Sequence, residues 1–443
     1  MSVVEDRDSV RTCVVSASGA LGILGDHGTR LLAGPPASAG VERRSAHLAR
    51  LGGLDLVDME PEALRATVRH SGLEGRGGGQ FPTAAKLELA ATSPGSSLVV
   101  VNASEGEPSS RKDRTLLGYR PHLVLDGAMA AARACGAPHV VVYLHRARRV
   151  STSAMLEAIE ERRGDVAEVT VVDAPPRYVA GESSALVGYL DGEGAFPRRR
   201  RLPVAAAGVG GRPTVVLNAE TSAHLGLIAR NGAEWFRDAG DAGSPGSSLV
   251  TLAGSVAVPG LVVEVLAATT VGEALSRFGG VDEPPAAVLI GGYEGTWVDG
   301  SGAVAAPLGR GALAACGTPL GCGLLCVLDG GHCGLRTTAR LVEWLAGESA
   351  GQCGPCVFGL PEVAATLSRL AGAGGARRDV RRLRQLTASI VGRGDCGHPT
   401  GVVGLVDSAL DTFASDLDRH ARGRPCTAPA APLELAASIE APR

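Results

Sequence analysis

Apolar positions along this chain follow two rhythms. A β-branched run, Leu98-Val-Val-Val-Asn102, gives way to a polar loop and then to an Ala-rich stretch at 123–135 with helical spacing. A second β-branched run at 139–144, a helical stretch at 151–163 and a third run at 169–172 repeat the alternation. Strands alternating with helices predict a parallel α/β sheet, whose ligands sit beyond the carboxyl ends of the strands. A Gly/Pro-marked break at 238–245 follows. Strand candidates at 248–252 and 261–266, a helix candidate at 271–278 and a strand at 286–290 then predict a small α+β module without chemistry of its own. The stretch after Gly311 is apolar with scattered cysteines. From about residue 335 the pattern is all-helical, with Pro361 opening one helix and Leu410, Phe413 and Leu417 marking the apolar side of another. The Pro/Ala-rich tail after Gly423 is expected to be disordered, and residues 1–30 carry little signal.

One stretch obeys neither rhythm. Residues 72–86 read Gly-Leu-Glu-Gly-Arg-Gly-Gly-Gly-Gln-Phe-Pro-Thr-Ala-Ala-Lys, with five glycines in the first eight positions. Each glycine costs up to ~1 kcal/mol against Ala inside a regular element. This is therefore a loop, and bare main-chain N–H groups leading into a helix are a usual way to hold a phosphate. Arg76 within the glycines and Lys86 one turn into the following helix add positive charge. A plain flexible loop is the competing reading. Composition favours the first, because the chain has only two lysines, Lys86 and Lys112, against 41 arginines. Both survivors lie in dense motif stretches, where a compact ammonium does what a planar guanidinium cannot.

The 443 residues suggest two to four domains, and 45% apolar residues suffice for ordinary cores. A net charge of −3 argues against general nucleic-acid binding. No run of ~20 uninterrupted apolar residues exists, so no direct membrane insertion is expected. The charged first eleven residues lack a basic-then-apolar signal pattern, so the expected location is the cytoplasm, or peripheral on a membrane complex.

Two strand ends carry polar clusters. The first is Asn102-Ala-Ser-Glu-Gly-Glu-Pro108, continuing to Arg111-Lys-Asp-Arg114, with a solvated turn as the rival reading. The second is Tyr178-Val-Ala-Gly-Glu-Ser-Ser-Ala-Leu186, where Gly181 and Glu182 open a helix whose first N–H groups favour an anion or polar ring atoms.

Ten cysteines in a cytoplasmic chain read as thiols or metal ligands. Cys353-Gly-Pro-Cys356, with Cys396 forty residues later near His398, suits an iron–sulfur cluster or zinc. A redox pair is the weaker alternative, since no thioredoxin-like strand precedes it. Cys13, Cys135 and Cys426 read as ordinary thiols, and Cys316, Cys322 and Cys326 as small buried hydrophobes.

Together these stretches resemble the NADH-binding flavoprotein subunit of respiratory complex I and the related subunits of NAD-linked hydrogenases and formate dehydrogenases. The similarity runs from about Leu31 to about His420. Residues 75–83 with Lys86 look like that family's FMN-phosphate loop. Asn102, Glu105 and Glu107 look like its flavin and nucleotide loop, and Tyr178, Gly181 and Glu182 match its second glycine–glutamate motif. Pro213-Thr-Val-Val-Leu-Asn-Ala-Glu-Thr221 is similar to its asparagine motif, carrying over Asn218 and Thr221. Residues 248–300 look like its β-grasp (SLBB-type) domain, and Glu348-Ser-Ala-Gly-Gln-Cys-Gly-Pro-Cys356 like its cluster motif.

The resemblance implies an N-terminal segment (1–30), an α/β FMN and nucleotide domain (31–240), a β-grasp domain with its connection (246–330), a helical iron–sulfur domain (331–422) and a tail (423–443). It implies FMN held by Gly75, Arg76, Gly77 and Lys86 and oriented by Asn102, Glu105, Tyr178, Gly181, Glu182 and Asn218, with Phe81 and Glu107 meeting the nucleotide. The implied reaction is hydride transfer from NADH or NADPH to FMN, then single electrons through the cluster to a ferredoxin-like or complex I-like partner subunit. No acid–base residue is required.

The chain also departs from the pattern. Ala350 stands where the family has a cluster cysteine, so Cys353, Cys356 and Cys396 leave a 4Fe–4S cluster one ligand short. Either the cluster is 3Fe–4S or another group serves, Cys333 first and His398 second. Ser183, Ser104 and Leu89 replace expected nucleotide contacts, and the run at 198–201 is arginine-rich. These losses motivate two rivals: an FMN/iron–sulfur relay that does not use NADH, and a non-catalytic assembly paralogue.

Overall fold

The computed structural model describes residues 12–13, 23–24 and 30–435, apart from 147, 200, 282 and 373. Two helices, α1 (Pro61–Ser71) and α2 (Thr83–Thr92), flank the glycine-rich loop. The chain then enters β1 (Leu98–Ala103), α3 (Lys112–Tyr119), α4 (Pro121–Cys135), β2 (His139–Leu144), α5 (Arg149–Glu160) and β3 (Glu168–Asp173). After α6 (Ser183–Leu190) it returns through β4 (Thr214–Asn218) into α7 (Ala219–Arg237).

These four strands form one all-parallel sheet in the order β3-β2-β1-β4. Successive strands march one way from β1 to β3, and β4 then lands on the other side of β1. The crevice between β1 and β4 is thus the topological switch point where open α/β sheets bind ligands. Both faces are covered, which is why β1 reads as a continuous apolar run. Val99 and Val101 join the core of Leu123, Met129 and Leu225, while Leu98 and Val100 face Tyr143, Leu186 and Val187. Helices α4 and α7 cross at Gly127, where a Cβ would stand 1.6 Å from the Ser222 carbonyl.

The second module is a five-stranded sheet of β5 (Ser248–Gly254), β6 (Leu261–Val265), β7 (Ala287–Ile290), β8 (Thr296–Asp299) and β9 (Leu324–Leu328), in the order β6-β5-β9-β7-β8. Its central strand β9 lies in the apolar stretch after Gly311, where the sequence pattern predicts no strand. It pairs parallel with β5, buried on both sides, so it has no alternation to betray it. A short helix, α8 (Arg310–Ala315), precedes it. Helices α9 (Gly334–Gly347), α10 (Leu360–Ala371), α11 (Arg377–Ile390), α12 (His398–Thr412) and α13 (Ala414–Ala421) complete the chain's helical part.

The expected disorder of the tail does not hold for residues 424–435. Cys333 N–H donates to Pro429 O at 2.8 Å, Ala431 N–H donates to Thr337 Oγ1 at 2.9 Å, and Arg111 pairs with Glu434 at 2.6 Å. Ala431 and Leu433 are buried, so a few apolar side chains and main-chain bonds suffice to dock a segment of low-complexity composition. Residues 436–443 and the first eleven fall outside the described residues.

Candidate functional site

Asn102 and Asn218 are register partners at the carboxyl ends of β1 and β4. Asn102 Nδ2 donates to Gly181 O at 2.7 Å, and its Oδ1 accepts from Ser104 Oγ at 2.8 Å. Asn218 caps α7, accepting from Glu220 N–H at 3.0 Å, and also accepts from Lys112 Nζ at 3.1 Å while donating to Asp113 at 2.6 Å. Both amides are therefore organisers that gather three loops around the switch point.

The glycine-rich loop closes onto this floor. Arg76 N–H donates to Thr221 Oγ1 at 2.8 Å, tying the loop to the first turn of α7. A Cβ on Gly77 would sit 3.3 Å from Asn218 Cβ, so a bare backbone is needed for this approach. Gln80 takes a left-handed φ of 46°. Lys86 Nζ donates to Val216 O at 3.1 Å and lies 5.9 Å from the Phe81 ring centroid, its pKa lowered by burial. Phe81 itself is 53% exposed, a large aromatic face open to a ligand.

Three of the expected ligand carboxylates behave differently from one another. Glu105, at a left-handed φ of 43°, accepts from Ser110 Oγ (3.0 Å), Asp113 N–H (2.9 Å), Arg114 Nε (2.9 Å) and Arg148 Nη1 (2.8 Å). Burial opposes its ionisation, but the two arginines prevail and hold it at about 2. Its oxygens are consumed by the protein, so it shapes the loop and does not reach a ligand directly. Glu182 spends its Oε2 on capping α6, through Ser184 and Ala185 N–H at 2.9 and 3.0 Å. Glu107 alone keeps a buried oxygen, Oε1, without a partner among the described residues. Its Oε2 accepts from Tyr293 N–H at 3.1 Å and stands 4.0 Å from Cys322 Sγ. Burial, reinforced by Glu294 and only partly offset by Tyr293, raises it to about 8.

Gly181 has no room for a side chain, since a Cβ would meet Ser104 Oγ at 2.8 Å. The Tyr178 hydroxyl donates to Glu107 Oε2 at 3.5 Å, while the rest of the residue faces the cysteine side. Its N–H donates to Glu348 at 3.0 Å, and its ring packs edge-on to Trp344 at 5.4 Å and beside His398 at 5.7 Å.

Around Glu348 the sulfur ligands gather. Burial, followed by the Cys353 thiol and the Cys396 charge, pushes the Cys356 thiol up to about 12. Cys396 is also raised, by burial first and then by Glu182, Glu294 and Cys353. Cys353 and Cys396 lie in electrostatic range of Cys356, and three cysteines so placed fit a cluster, whose iron would take all three as thiolates. Ala350 offers no donor.

Cys333 is not brought to this group, and His398, whose main-chain N–H bonds the Cys396 thiol, has its ring engaged elsewhere. Cys333 precedes α9, and fourteen residues at 1.5 Å rise put it about 21 Å along the axis from the Glu348 end. Its thiol is buried instead 3.9 Å from His420 Nε2, with Cys426 Sγ 3.3 Å from the same nitrogen. His420 Nδ1 donates to Leu370 O at 3.0 Å. Cys426, expected to be an ordinary thiol, and Cys333, expected to be a cluster ligand, thus form a set of their own with His420, all three ligand atoms within 4.8 Å of one another. His398 has both ring nitrogens engaged, at 2.5 Å with Glu294 and 3.0 Å with Leu345 O. Residues that sequence reasoning missed at the flavin side are Glu220, paired with Lys112 at 3.1 Å, Cys322, Tyr293 and Arg310. Glu220 lies inside the quoted 213–221 motif, where Asn218 and Thr221 drew the attention, and the other three lie in stretches without a local signal.

A glycine loop clamped at the switch point, in a fold that also bonds the Tyr178 loop to the segment leading into three cysteines, defines a flavin and iron–sulfur electron-transfer protein. Residues 68–226 match the family described as the Nuo51 FMN-binding domain, and residues 336–420 the NADH-ubiquinone oxidoreductase-F iron-sulfur binding region. The NADH-quinone oxidoreductase F subunit of Streptomyces coelicolor is 31% identical over 389 residues, spanning 83% of this chain and 85% of the relative. The NADP-reducing hydrogenase subunit HndC of Solidesulfovibrio fructosivorans is 29% identical over 394 residues, 84% and 79% of the two chains. The crystal structure of an NAD+-reducing [NiFe]-hydrogenase in the H2-reduced state superposes with a TM-score of 0.77 at 27% identity, covering 86% of this chain and 67% of that one. The chain belongs to the family of NADH-quinone oxidoreductase F subunits.

Proposed function

We propose that this protein is an NAD(P)H-linked oxidoreductase subunit that binds FMN and an iron–sulfur cluster and hands electrons to a partner subunit. The observation that carries this reading is the Arg76–Thr221 clamp, which holds bare loop amides over the start of α7 at the sheet's switch point. The chemistry that FMN supplies when bound is the splitting of a two-electron hydride donor into single electrons.

The chain's own residues would do the rest. The amides of 75–79 and Lys86 hold the charged end of the flavin. Phe81 offers its exposed ring to the nucleotide, and the buried Glu107 Oε1, without a partner among the described residues, is placed to meet a bound hydroxyl or ring N–H. At the pH of most cells Glu107 carries a proton, which lets it donate as well as accept. Asn102, Glu105, Glu182 and Asn218 fix the loops, and Gly181 excludes a side chain from the floor. Cys353, Cys356 and Cys396 hold the cluster, and with Ala350 beside them the set suits 3Fe–4S. Among the described residues no helix is long and apolar enough to cross a membrane, so quinone or other acceptors are reached through partner chains.

The replaced nucleotide contacts, Ser104 and Ser183, favour a second reading in which the flavin serves as a relay without NADH. Anaerobic protein mixed in stopped flow with NADH or NADPH separates the two. Bleaching of flavin absorbance within seconds supports the first reading. Unchanged absorbance in protein that retains FMN supports the relay, and denatured protein that releases no FMN and takes up none overturns both.

A further inference from the structure

Arg310 is 2% exposed, yet none of its Nε, Nη1 and Nη2 finds a hydrogen-bond partner among the described residues. A guanidinium carries five donors, and burying them unmet is costly unless something outside the chain receives them. The residue opens α8, whose Gly311 N–H donates to Ser244 Oγ at 3.0 Å. The same segment receives Arg76, through Pro245 O at 3.0 Å and Ser248 Oγ at 3.3 Å. Arg76 is 3% exposed and its Nε is also without a partner. Burial and the facing Arg310 charge lower Arg76 to about 9.

Two like charges buried against each other require a counter-charge. The acidic groups in electrostatic range of both are Glu220 and Glu74. Glu220 is taken by Lys112 at 3.1 Å and by Leu249 N–H at 2.9 Å, and neither acid reaches Arg310 by a hydrogen bond. Arg310 also lies in electrostatic range of Cys322, whose Sγ is 4.0 Å from Glu107. The unspent donors therefore lie in electrostatic range of Glu74 at the start of the glycine-rich loop, of the loop's Arg76 and of Cys322 beside Glu107, while Lys86 and the Nη atoms of Arg76 have protein partners.

We propose that Arg310 is a phosphate-binding residue, its guanidinium and the Nε of Arg76 together receiving a phosphate monoester dianion at the glycine-rich loop. This rests on the FMN reading, the dianion being the flavin's phosphate. It makes the β-grasp module, which carries no chemistry by sequence, a contributor to the flavin site.

The test compares apo protein with the variants Arg310→Met and Arg310→Lys, titrated with FMN and with riboflavin, which lacks the phosphate, and scored by quenching of flavin fluorescence. Arg310→Met is expected to weaken FMN about tenfold or more and leave riboflavin unchanged, with Arg310→Lys recovering part of the loss. Inorganic phosphate is expected to raise the Tm of the unmutated protein and not that of Arg310→Met. Equal weakening of FMN and riboflavin, or FMN affinity within about twofold of the unmutated protein in both variants, overturns the proposal. Should the unmutated protein bind neither flavin, the FMN reading fails by itself. The phosphate-dependent Tm then still decides the anion site: lost in Arg310→Met it stands, and absent throughout it falls.

Discussion

Glu348 accepts the main-chain N–H of Tyr178 at 3.0 Å. One bond thus joins the loop at the flavin floor to the helix end that leads into the cluster cysteines, and the Tyr178 ring packs on Trp344 of the same helix. This contact ties together the two segments that would flank the electron donor and its acceptor. Glu348→Ala is expected to leave FMN and iron content near those of the unmutated protein while slowing flavin-to-cluster transfer several-fold. Reduction of the cluster followed separately from that of the flavin in single-turnover mixing checks it, and equal rates would remove Glu348 from the path.

Glu107 gives the protein a signature in its pH dependence. Its carboxyl sits at about 8 in the fold against an ordinary value of 4.5. Between those values the folded chain holds a proton that the unfolded chain has lost, so stability falls as pH rises from about 4.5 to about 8 and levels off above. The slope is at most about 1.4 kcal/mol per pH unit. Glu107→Gln is expected to flatten that part of the curve, read by urea denaturation of apo protein at a pH of about 5.5 and again at about 7.5. A slope unchanged by the substitution would show that Glu107 titrates normally.

The cluster assignment separates the cysteines. Cys356→Ser and Cys396→Ser are expected to lower bound iron and acid-labile sulfide steeply, whereas Cys333→Ser leaves both unchanged. Ala350→Cys is expected to raise iron from about three to about four per chain. Iron and sulfide analysis of anaerobically purified variants, with the low-temperature EPR signal, reads each outcome. Loss of cluster in Cys333→Ser would reinstate it as a ligand.

Phe81 is exposed over half its surface beside the half-buried Lys86. Phe81→Ala is expected to raise KM for NADH about five- to tenfold with little change in FMN content, as for loss of one stacking face. A fall in FMN content instead would place the ring against the flavin.

Much of this is readable along the chain. The β-branched runs of β1 and β2 lie at 98–103 and 139–144 because strands buried on both faces need apolar side chains at every position. The glycine loop is legible because no regular element tolerates five glycines in eight residues. Strand β9 is not, since a short apolar run without alternation also fits a buried helix. The tail misleads because composition reports what a segment could bury alone, and Leu433 is buried only against the rest of the fold.

Local sequence alone set the strand and helix order, the phosphate-type loop and the spacing of Cys353 and Cys356, all of which depend on neighbours within a few residues. Only tertiary structure decided which carboxylates remain free. Glu105 is spent on Arg114 and Arg148, Glu182 gives its Oε2 to helix amides, and Glu107 is left with a buried oxygen open. The partners of Cys333 were settled the same way, by His420 and Cys426, both far downstream in the chain. Burial and charge pairing are properties of the enclosing surface, and that surface exists only once distant segments have met.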